Sequence, residues 1–264
     1  MDKIFMFDID GTLTPSRLRM TKEFSKFFDE WSSEGIFKNS FAYPEIKREL
    51  VRKNKYYLVT GSDLDKTKEQ LPIAYIDRAE AIFTCCGNQM WRDDELIYNN
   101  KFKPPQDLLD YLGEQLHIID YPVKAGNHIE DRGSLLNFSV VGRDCTQVQR
   151  NDYYEYDRQM DERKGIANYI KENWNDLDAV IGGQISIDIY PKGNDKSQVL
   201  NIIEQERLVP PSEYIFIGDG IENGGNDYPL ALLMDNIEGC DWHQVEDYRK
   251  TWWLLQRYEL GLEK

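Results

Sequence analysis

The string "KIFMFDIDGTLTPSR" (residues 3–17) closes a short apolar run with Asp8 and Asp10, two residues apart. In a strand, residues i and i+2 point the same way, so both carboxylates enter one crevice. Two like charges held out of water are costly unless something neutralises them. A hard divalent cation does so, and Mg2+ typically uses one or two carboxylates together with substrate phosphate. A carboxylate at such a site can attack phosphorus to give an aspartyl-phosphate. A second can deliver and remove the proton on the leaving or attacking oxygen. An acidic turn after a strand is the plainer reading of the pair alone. The Gly11, Thr12 and Thr14 that follow argue against it.

Two further strings have the same form, an apolar run and then Gly with a hydroxyl or an acid: "KYYLVTGSD" (55–63) and "YIFIGDG" (214–220). Short, nearly continuous apolar runs read as strands buried on both faces of a parallel sheet. Helical stretches at 21–31 and 44–54 lie between the first two. Strands alternating with helices predict a doubly wound α/β sheet, whose ligands sit beyond the carboxyl ends of the strands. Thr60 and Asp219 then converge on the crevice that holds Asp8 and Asp10.

The middle of the chain follows another rule. "GSLLNFSVVGRD" (133–144) and "GGQISIDIYP" (182–191) alternate polar with apolar, most clearly Ile185, Ile187 and Ile189 against Ser186 and Asp188. That pattern predicts an antiparallel sheet with one face in a core and one face presented outward. Helical stretches at 106–116 and 157–173 cover the other side. Residues 84–186 therefore read as an inserted α+β domain, and 1–83 with 187–264 as the domain it interrupts. Near the end, Val245, Tyr248, Trp252, Leu255 and Tyr258 recur at helical spacing over 241–258, which predicts a helix packed on the core.

The 264 residues are 41% hydrophobic and 12% aromatic, enough for a sizeable core, and the formal net charge is -15. That balance argues against a broad nucleic-acid or anionic-membrane surface, which needs clustered Lys and Arg. Surface charges are largely screened beyond roughly 8–10 Å at physiological salt, so a phosphate site can still be built from local arginines, cations or backbone amides. Cys85 and Cys86 are adjacent, without zinc-site or CxxC spacing, and Cys145, Cys240 and the histidines at 117, 128 and 243 lie far apart. Reduced thiols are the reading this supports. No apolar stretch approaches the ~20 residues of a membrane span, and the start lacks a signal-peptide pattern. A soluble, cytoplasmic protein is expected.

The strand-end strings, taken together, resemble the four motifs of the haloacid dehalogenase superfamily of phosphotransferases. "DIDGTLT" is similar to motif one and "LVTGS" (58–62) to motif two, whose hydroxyl binds the transferring phosphoryl group. Lys196 in "KGNDKSQVL" resembles the lysine of motif three. "FIGDGIENGGNDYPL" (216–230) resembles motif four, whose acid completes a Mg2+ site, and so places that role on Asp219 with Asp227 nearby. Two strings of the insert, "RGSLLNFSVVGRDCTQVQR" (132–150) and "GGQISIDIYPKGNDK" (182–196), resemble the cap of eukaryotic-type phosphomannomutases, which belong to that superfamily. The resemblance runs from about residue 4 to about residue 230.

The resemblance implies a haloacid dehalogenase-like core, doubly wound and mainly parallel, with an inserted α+β cap on an antiparallel sheet. It implies Asp8 as nucleophile, Asp10 as acid–base, and Thr60 and Lys196 at the transferring phosphoryl. It implies Asp8, Asp10 and Asp219 around Mg2+. Arg132, Arg143 and Arg150 would hold the phosphate that is not reacting, through guanidinium forks that Lys cannot copy. Ser186 and Asp188 would bond sugar hydroxyls, and Arg17 would contact substrate from the core. The implied substrate is a hexose phosphate, with hexose 1,6-bisphosphate as activator, and the implied assembly is a homodimer through the cap. A sugar-phosphate phosphatase on the same scaffold is the alternative, since phosphatases of the superfamily carry Thr at the place of Thr60.

Overall fold

The computed structural model describes residues 3–33, 53–206 and 213–263. In chain order the first half of the core holds β1 (Lys3–Phe7), α1 (Lys22–Ser32), β2 (Lys55–Val59), α2 (Leu64–Gln70), α3 (Ile73–Arg78), β3 (Ile82–Thr84) and the hairpin β4 (Gln89–Arg92) and β5 (Glu95–Asn99). The insert holds α4 (Gln106–Ile118), β6 (Ile129–Asp131), β7 (Leu136–Ser139), α5 (Gln147–Met160), α6 (Glu162–Asn173), β8 (Leu177–Gly182) and β9 (Ser186–Pro191). The core resumes with α7 (Gln198–Glu206), β10 (Glu213–Gly218), α8 (Tyr228–Met234), β11 (Cys240–Gln244) and α9 (Tyr248–Glu259). Of the helix expected over 44–54, residues 44–52 lie outside the described residues.

The core sheet has strand order β11-β10-β1-β2-β3-β4-β5. Its first five strands run parallel, and β4 and β5 are antiparallel. Alternate residues of β1 enter two different cores, which is why its sequence is apolar without a break. Phe5 and Phe7 pack with Phe24, Phe28, Trp31 and the C-terminal Leu254 and Leu255. Ile4 and Met6 pack with Val199, Leu200, Ile203, Leu230 and Met234. Helices α1 and α9 therefore cover one face, and α7 and α8 the other. Thr21 caps α1 by accepting from the Phe24 N–H, and Trp252 of α9 lies 5.7 Å from the Phe24 ring.

The cap sheet has order β6-β7-β9-β8 and is antiparallel throughout. Its apolar face carries Leu136, Phe138, Ile187 and Ile189 against Leu108, Leu112, Tyr153, Ile166 and Ile170 of the helices. The expected boundaries at 84 and 186 both shift toward the C-terminus. The hairpin β4–β5 completes the hydrogen-bond ladder of the core sheet beyond β3, so the core reaches Asn99. Strand β9 stays in the cap sheet as far as Pro191, paired on both edges.

Two helical expectations also change. The stretch 157–173 is two helices, broken at Asp161, whose φ of 53° is left-handed. Helix α5 before that break lacks apolar periodicity, because its buried positions are Arg150, Tyr153 and Asp157. At the C-terminus, residues 240–244 form an edge strand parallel to β10. The helical spacing begins only after Asp247, whose side chain caps α9 by accepting from the Arg249 N–H.

The junction of α5 and α6 is an ion pair with almost no water access. Arg163, 2% exposed, donates from Nε to Asp157 Oδ2 at 2.8 Å and from Nη1 to the carbonyls of Gly183 and Ser186. It thereby fixes the β8–β9 turn to the helices. Removing one partner of a buried pair strands the other charge, whereas replacing both with apolar groups is close to neutral. Asp157→Ala is expected to lose about 3–5 kcal/mol of stability in urea unfolding, and the double change Asp157→Leu with Arg163→Met to recover most of it. A loss near zero in the single variant would contradict this account.

Candidate active site

Asp8 follows β1 directly, and its N–H still donates to the Ile217 carbonyl of β10 at 3.0 Å. This last rung of the ladder sets the carboxylate at the sheet's carboxyl edge, beside the loop that leaves β10. Asp219 and Asp227 come from that loop. Oxygens of Asp8, Asp219 and Asp227 all lie within 4.8 Å of one another. Gly11, at φ +80°, is required here: a Cβ on it would stand 2.1 Å from Asp219 Oδ2.

Lys196 is fully buried, and its Nζ donates to Asp8 Oδ1 and Asp227 Oδ1, both at 2.6 Å. The Asp227 carboxylate also accepts from the Gly220 N–H at 3.0 Å. Burial pushes the Asp8 carboxyl up to about 7, with Lys196 pulling it down and Asp227 pushing it up. Asp219 is held well above the usual carboxylate range by burial and then by Asp8 and Asp227. Lys196 is raised because Asp227 and Asp8 outweigh its desolvation. Three carboxylates against one ammonium leave two negative charges uncompensated when all are ionised. A hard divalent cation with oxygen ligands fits that donor set and its charge.

Asp10 was expected to share this metal, but its carboxylate is committed elsewhere. Oδ1 accepts from the Arg17 N–H at 2.6 Å and from Gln70 Nε2 at 2.8 Å, and Oδ2 from Ser62 Oγ at 3.4 Å. Asp227 takes its place in the acidic trio. Arg17 itself sits at φ +63°, a strained conformation for a residue with a Cβ that persists only where its surroundings dictate it. The bond from its N–H to Asp10 is one such constraint.

Thr60 follows β2 directly, is 1% exposed, and its Oγ1 accepts from the Ser62 N–H at 3.1 Å. The loop is pinned from behind by the left-handed turn Cys85–Gly87 between β3 and β4. There the Cys85 N–H donates to the Ser62 carbonyl and the Cys86 N–H to the Thr60 carbonyl, both at 2.9 Å.

The cap lies directly over these groups. A pocket between the two domains is lined by Asp8, Asp10, Arg17, Thr60 and Asp219 from the core, and by Arg132, Asn137, Arg150, Ser186 and Asp188 from the cap. The Ile181 N–H donates to the Gly224 carbonyl at 2.9 Å, and Arg132 Nη1 to the Gly61 carbonyl at 2.7 Å, so cap and core are hydrogen-bonded across the cleft. Asp188 is 2% exposed, accepts from Asn137 Nδ2 at 2.5 Å, and leaves no room for a Cβ on Gly182, which would stand 2.5 Å from its Oδ2.

The arginines divide. Arg17 and Arg150 line the pocket, and among the described residues neither guanidinium pairs with a carboxylate. Burial and then Arg17 lower the Arg150 pKa. Arg132 also lines the pocket but is already bonded to Glu130 and Gly61. Arg143 packs behind the wall, donating to Ser186 Oγ at 3.2 Å, to Asn137 Oδ1 and to Glu130 Oε2. Burial, then Arg17 and Arg132, bring its guanidinium down to about 9. Sequence reasoning missed Gln70, Asn137 and Glu130. Glu130 had a readable signal, since it precedes Arg132 by two, the spacing that puts two side chains on one side of extended chain.

The family described as eukaryotic phosphomannomutase matches residues 44–241 of this chain. A phosphomannomutase of Encephalitozoon cuniculi is 32% identical over 273 residues, covering 98% of this chain and 95% of that protein. One of Galdieria sulphuraria is 31% identical over 243 residues, covering 87% and 85%. Among solved structures, an IMP-nucleotidase of Plasmodium falciparum superposes with a TM-score of 0.61 at 15% identity, over 98% of this chain and 68% of the other. The C-terminal domain of a trehalose-6-phosphate phosphatase of C. albicans does so with a TM-score of 0.59 at 15% identity, over 99% and 93%. These two show the shared fold alone. Similarity running nearly end to end, on a haloacid dehalogenase-like core that carries an inserted cap, makes the chain a member of the eukaryotic phosphomannomutase family.

Proposed function

We propose that the protein is a phosphomannomutase that interconverts mannose 6-phosphate and mannose 1-phosphate through an aspartyl-phosphate on Asp8. The observation that carries this reading is the polarity of the pocket. It is lined by the acidic group that holds the nucleophile and also by the cationic Arg17 of the core and Arg132 and Arg150 of the cap. A hexose phosphate reaching between them keeps one phosphate on arginine while the other meets Asp8.

In that reading Asp8 attacks the phosphorus of a hexose 1,6-bisphosphate, and the sugar oxygen leaves with a proton from Asp10. Asp10 Oδ1 is occupied by Arg17 and Gln70, so Oδ2 carries the proton. Lys196 stabilises the charge that spreads over the transferring phosphoryl oxygens, and the Thr60 and Ser62 loop orients them. Mg2+, when bound by Asp8 and Asp219 with Asp227 beside them, supplies the remaining neutralisation at those oxygens. The monophosphate turns round between Arg150 and the core, with its hydroxyls on Ser186 and Asp188. It then offers its other oxygen, which Asp10 deprotonates as it attacks the phosphoaspartate. The bonds across the cleft keep the cap closed, which favours this return transfer over hydrolysis.

Phosphorus NMR of mannose 1-phosphate with the protein, Mg2+ and a trace of hexose 1,6-bisphosphate is expected to show mannose 6-phosphate. Inorganic phosphate as the sole product would establish the phosphatase alternative instead. Asp8→Asn is expected to lower turnover by at least about 1,000-fold, the usual scale for a lost covalent nucleophile, and turnover retained within ten-fold would refute its assignment.

The Asp8 shift also predicts how metal binding depends on pH. Burial raises its pKa from the ordinary carboxyl value of 3.8 to about 7, so between those values the fold retains a proton that the unfolded chain has lost. That contribution to stability is full below pH 3.8 and is lost as pH rises through 7. Below 7 a cation must displace the proton; above 7 it meets an ionised carboxylate. The rise in thermal midpoint on adding Mg2+ should therefore be larger at pH 8 than at pH 5.5, and Asp8→Asn should flatten the difference. Equal shifts at both pH values in the unaltered protein would contradict this.

A further inference from the structure

Glu130 on β6 is assigned no part in the reaction above, yet one of its oxygens gathers both inner arginines of the cap. Oε2 accepts from Arg132 Nε at 3.0 Å, from Arg132 Nη2 at 2.6 Å and from Arg143 Nη2 at 3.1 Å. The two arginine side chains are 5% and 12% exposed, while that of Glu130 is 36% exposed. The remaining Arg132 terminal nitrogen, Nη1, is bonded to the Gly61 carbonyl. The Nε and Nη2 edge of a guanidinium is the fork that suits a carboxylate or a phosphate in bidentate geometry. On Arg132 that edge is filled by Glu130.

We propose that Glu130 is the resident counter-ion of the cap's anion site, a positioning residue that holds Arg132 and Arg143 when the site is empty and releases the Arg132 fork to an arriving phosphate. The proposal rests on reading the cap arginines as the phosphate-holding end of the pocket. Its physical basis is the cluster itself: after burial, Arg17 and Arg132 act on Arg143 and Arg17 acts on Arg150 to lower their pKa values, whereas Asp188 and Glu130 outweigh burial and raise that of Arg132. Buried guanidinium groups of like charge are destabilising unless an anion lies among them. Burial opposes the Glu130 charge, but Arg132 and Arg143 outweigh it and keep its carboxyl below the usual carboxylate range. The other acids facing these arginines are Asp188, Asp10 beside Arg150 and Arg17, and Asp63 at 3.9 Å from Arg132. Asp188 is engaged by Asn137 Nδ2.

A resident anion has a consequence for turnover. Each catalytic cycle must empty this end of the pocket and refill it as the sugar monophosphate turns round. Glu130 and the phosphate compete for the same N–H groups, so the carboxylate weakens phosphate binding and lowers the cost of letting the phosphate go. Glu130→Gln removes the charge and keeps the size. It should tighten phosphate at the cap by about five-fold, the scale of a partly exposed ion pair, and lower KM and kcat together.

The test is a titration of the full chain with inorganic phosphate in EDTA, read by calorimetry. Without a divalent ion the acidic core end repels phosphate, so binding reports the cap. Stronger binding to Glu130→Gln than to the unaltered protein is expected, with Glu130→Asp between the two because it keeps the charge and withdraws the oxygen. Equal or weaker binding to Glu130→Gln overturns the proposal, as does the absence of binding to either protein; a purely structural Glu130 would give the weaker binding. Should Glu130→Gln fail to fold, Glu130→Asp carries the same test with a smaller shift. The titration uses no sugar, so a protein that fails to interconvert mannose phosphates but shows the phosphate effect would refute the activity and leave the counter-ion standing.

Discussion

Lys196 has no exposed surface, and its ammonium lies 2.6 Å from both Asp8 and Asp227. A cation in that position is stable only with both carboxylates beside it, and the carboxylates are stable only with it. The trio therefore fixes three chain segments at once: the end of β1, the loop after β10, and the segment that leaves the cap after Pro191. The last of these carries the wider consequence. Strand β9 brings Ser186 and Asp188 to the pocket and then runs directly into the loop that delivers Lys196. Asn88 Nδ2 donates to the Asn194 carbonyl of that loop at 2.8 Å and to the Cys85 carbonyl at 2.9 Å. The same link reaches the turn that pins Thr60 and Ser62, so the cap strand that lines the pocket, the lysine and the Thr60–Ser62 loop share one anchorage.

Legibility in the sequence followed the physics of burial. Strands β1, β2 and β10 could be read because a parallel strand buried on both faces is apolar throughout, and their polar ends marked the crevice where Asp8, Thr60 and Asp219 now stand. Helix α5 could not be read, because the residues it buries are Arg150, Tyr153 and Asp157, which are polar on the side a periodicity test expects to be apolar. The edge strand β11, "CDWHQ", is half-buried or exposed along its length, so no alternation separated it from the helix behind. The hairpin β4–β5 joins the core sheet through its ladder to β3 and buries Met90 alone among its residues, too little apolar pattern for the sequence to report.

Within the site, residue types were legible and their engagements were not. Arg143 carries the fork geometry that a phosphate site needs, yet it packs behind the wall formed with Ser186 and Asn137. Asp10 carries the carboxylate that a metal site needs, yet Arg17 and Gln70 direct it to another task. Gln70 lies 60 residues away in sequence, and nothing in an isolated helix end announces that its amide will meet an aspartate. Such pairings follow from tertiary contact, which spacing along the chain does not encode.

The two ends of the pocket oppose each other in charge, and this bears on why a phosphoaspartate would wait for a sugar oxygen in preference to water. The acidic group is overcharged and needs a cation; the cap arginines need an anion, and Glu130 Oε2 accepts from two of them, Arg132 and Arg143. In the proposed reaction a hexose bisphosphate would satisfy both, and the monophosphate left after transfer would still be held by the cap. On that proposal electrostatics would hold the intermediate inside while its reactive hydroxyl changes place, even as the bond that tethered it to the core is broken. Water has no charge to offer the arginines, so it gains nothing from the cap that a phosphate gains. A cap lined by neutral polar residues would close over the site equally well, yet it would give the departing monophosphate no reason to stay.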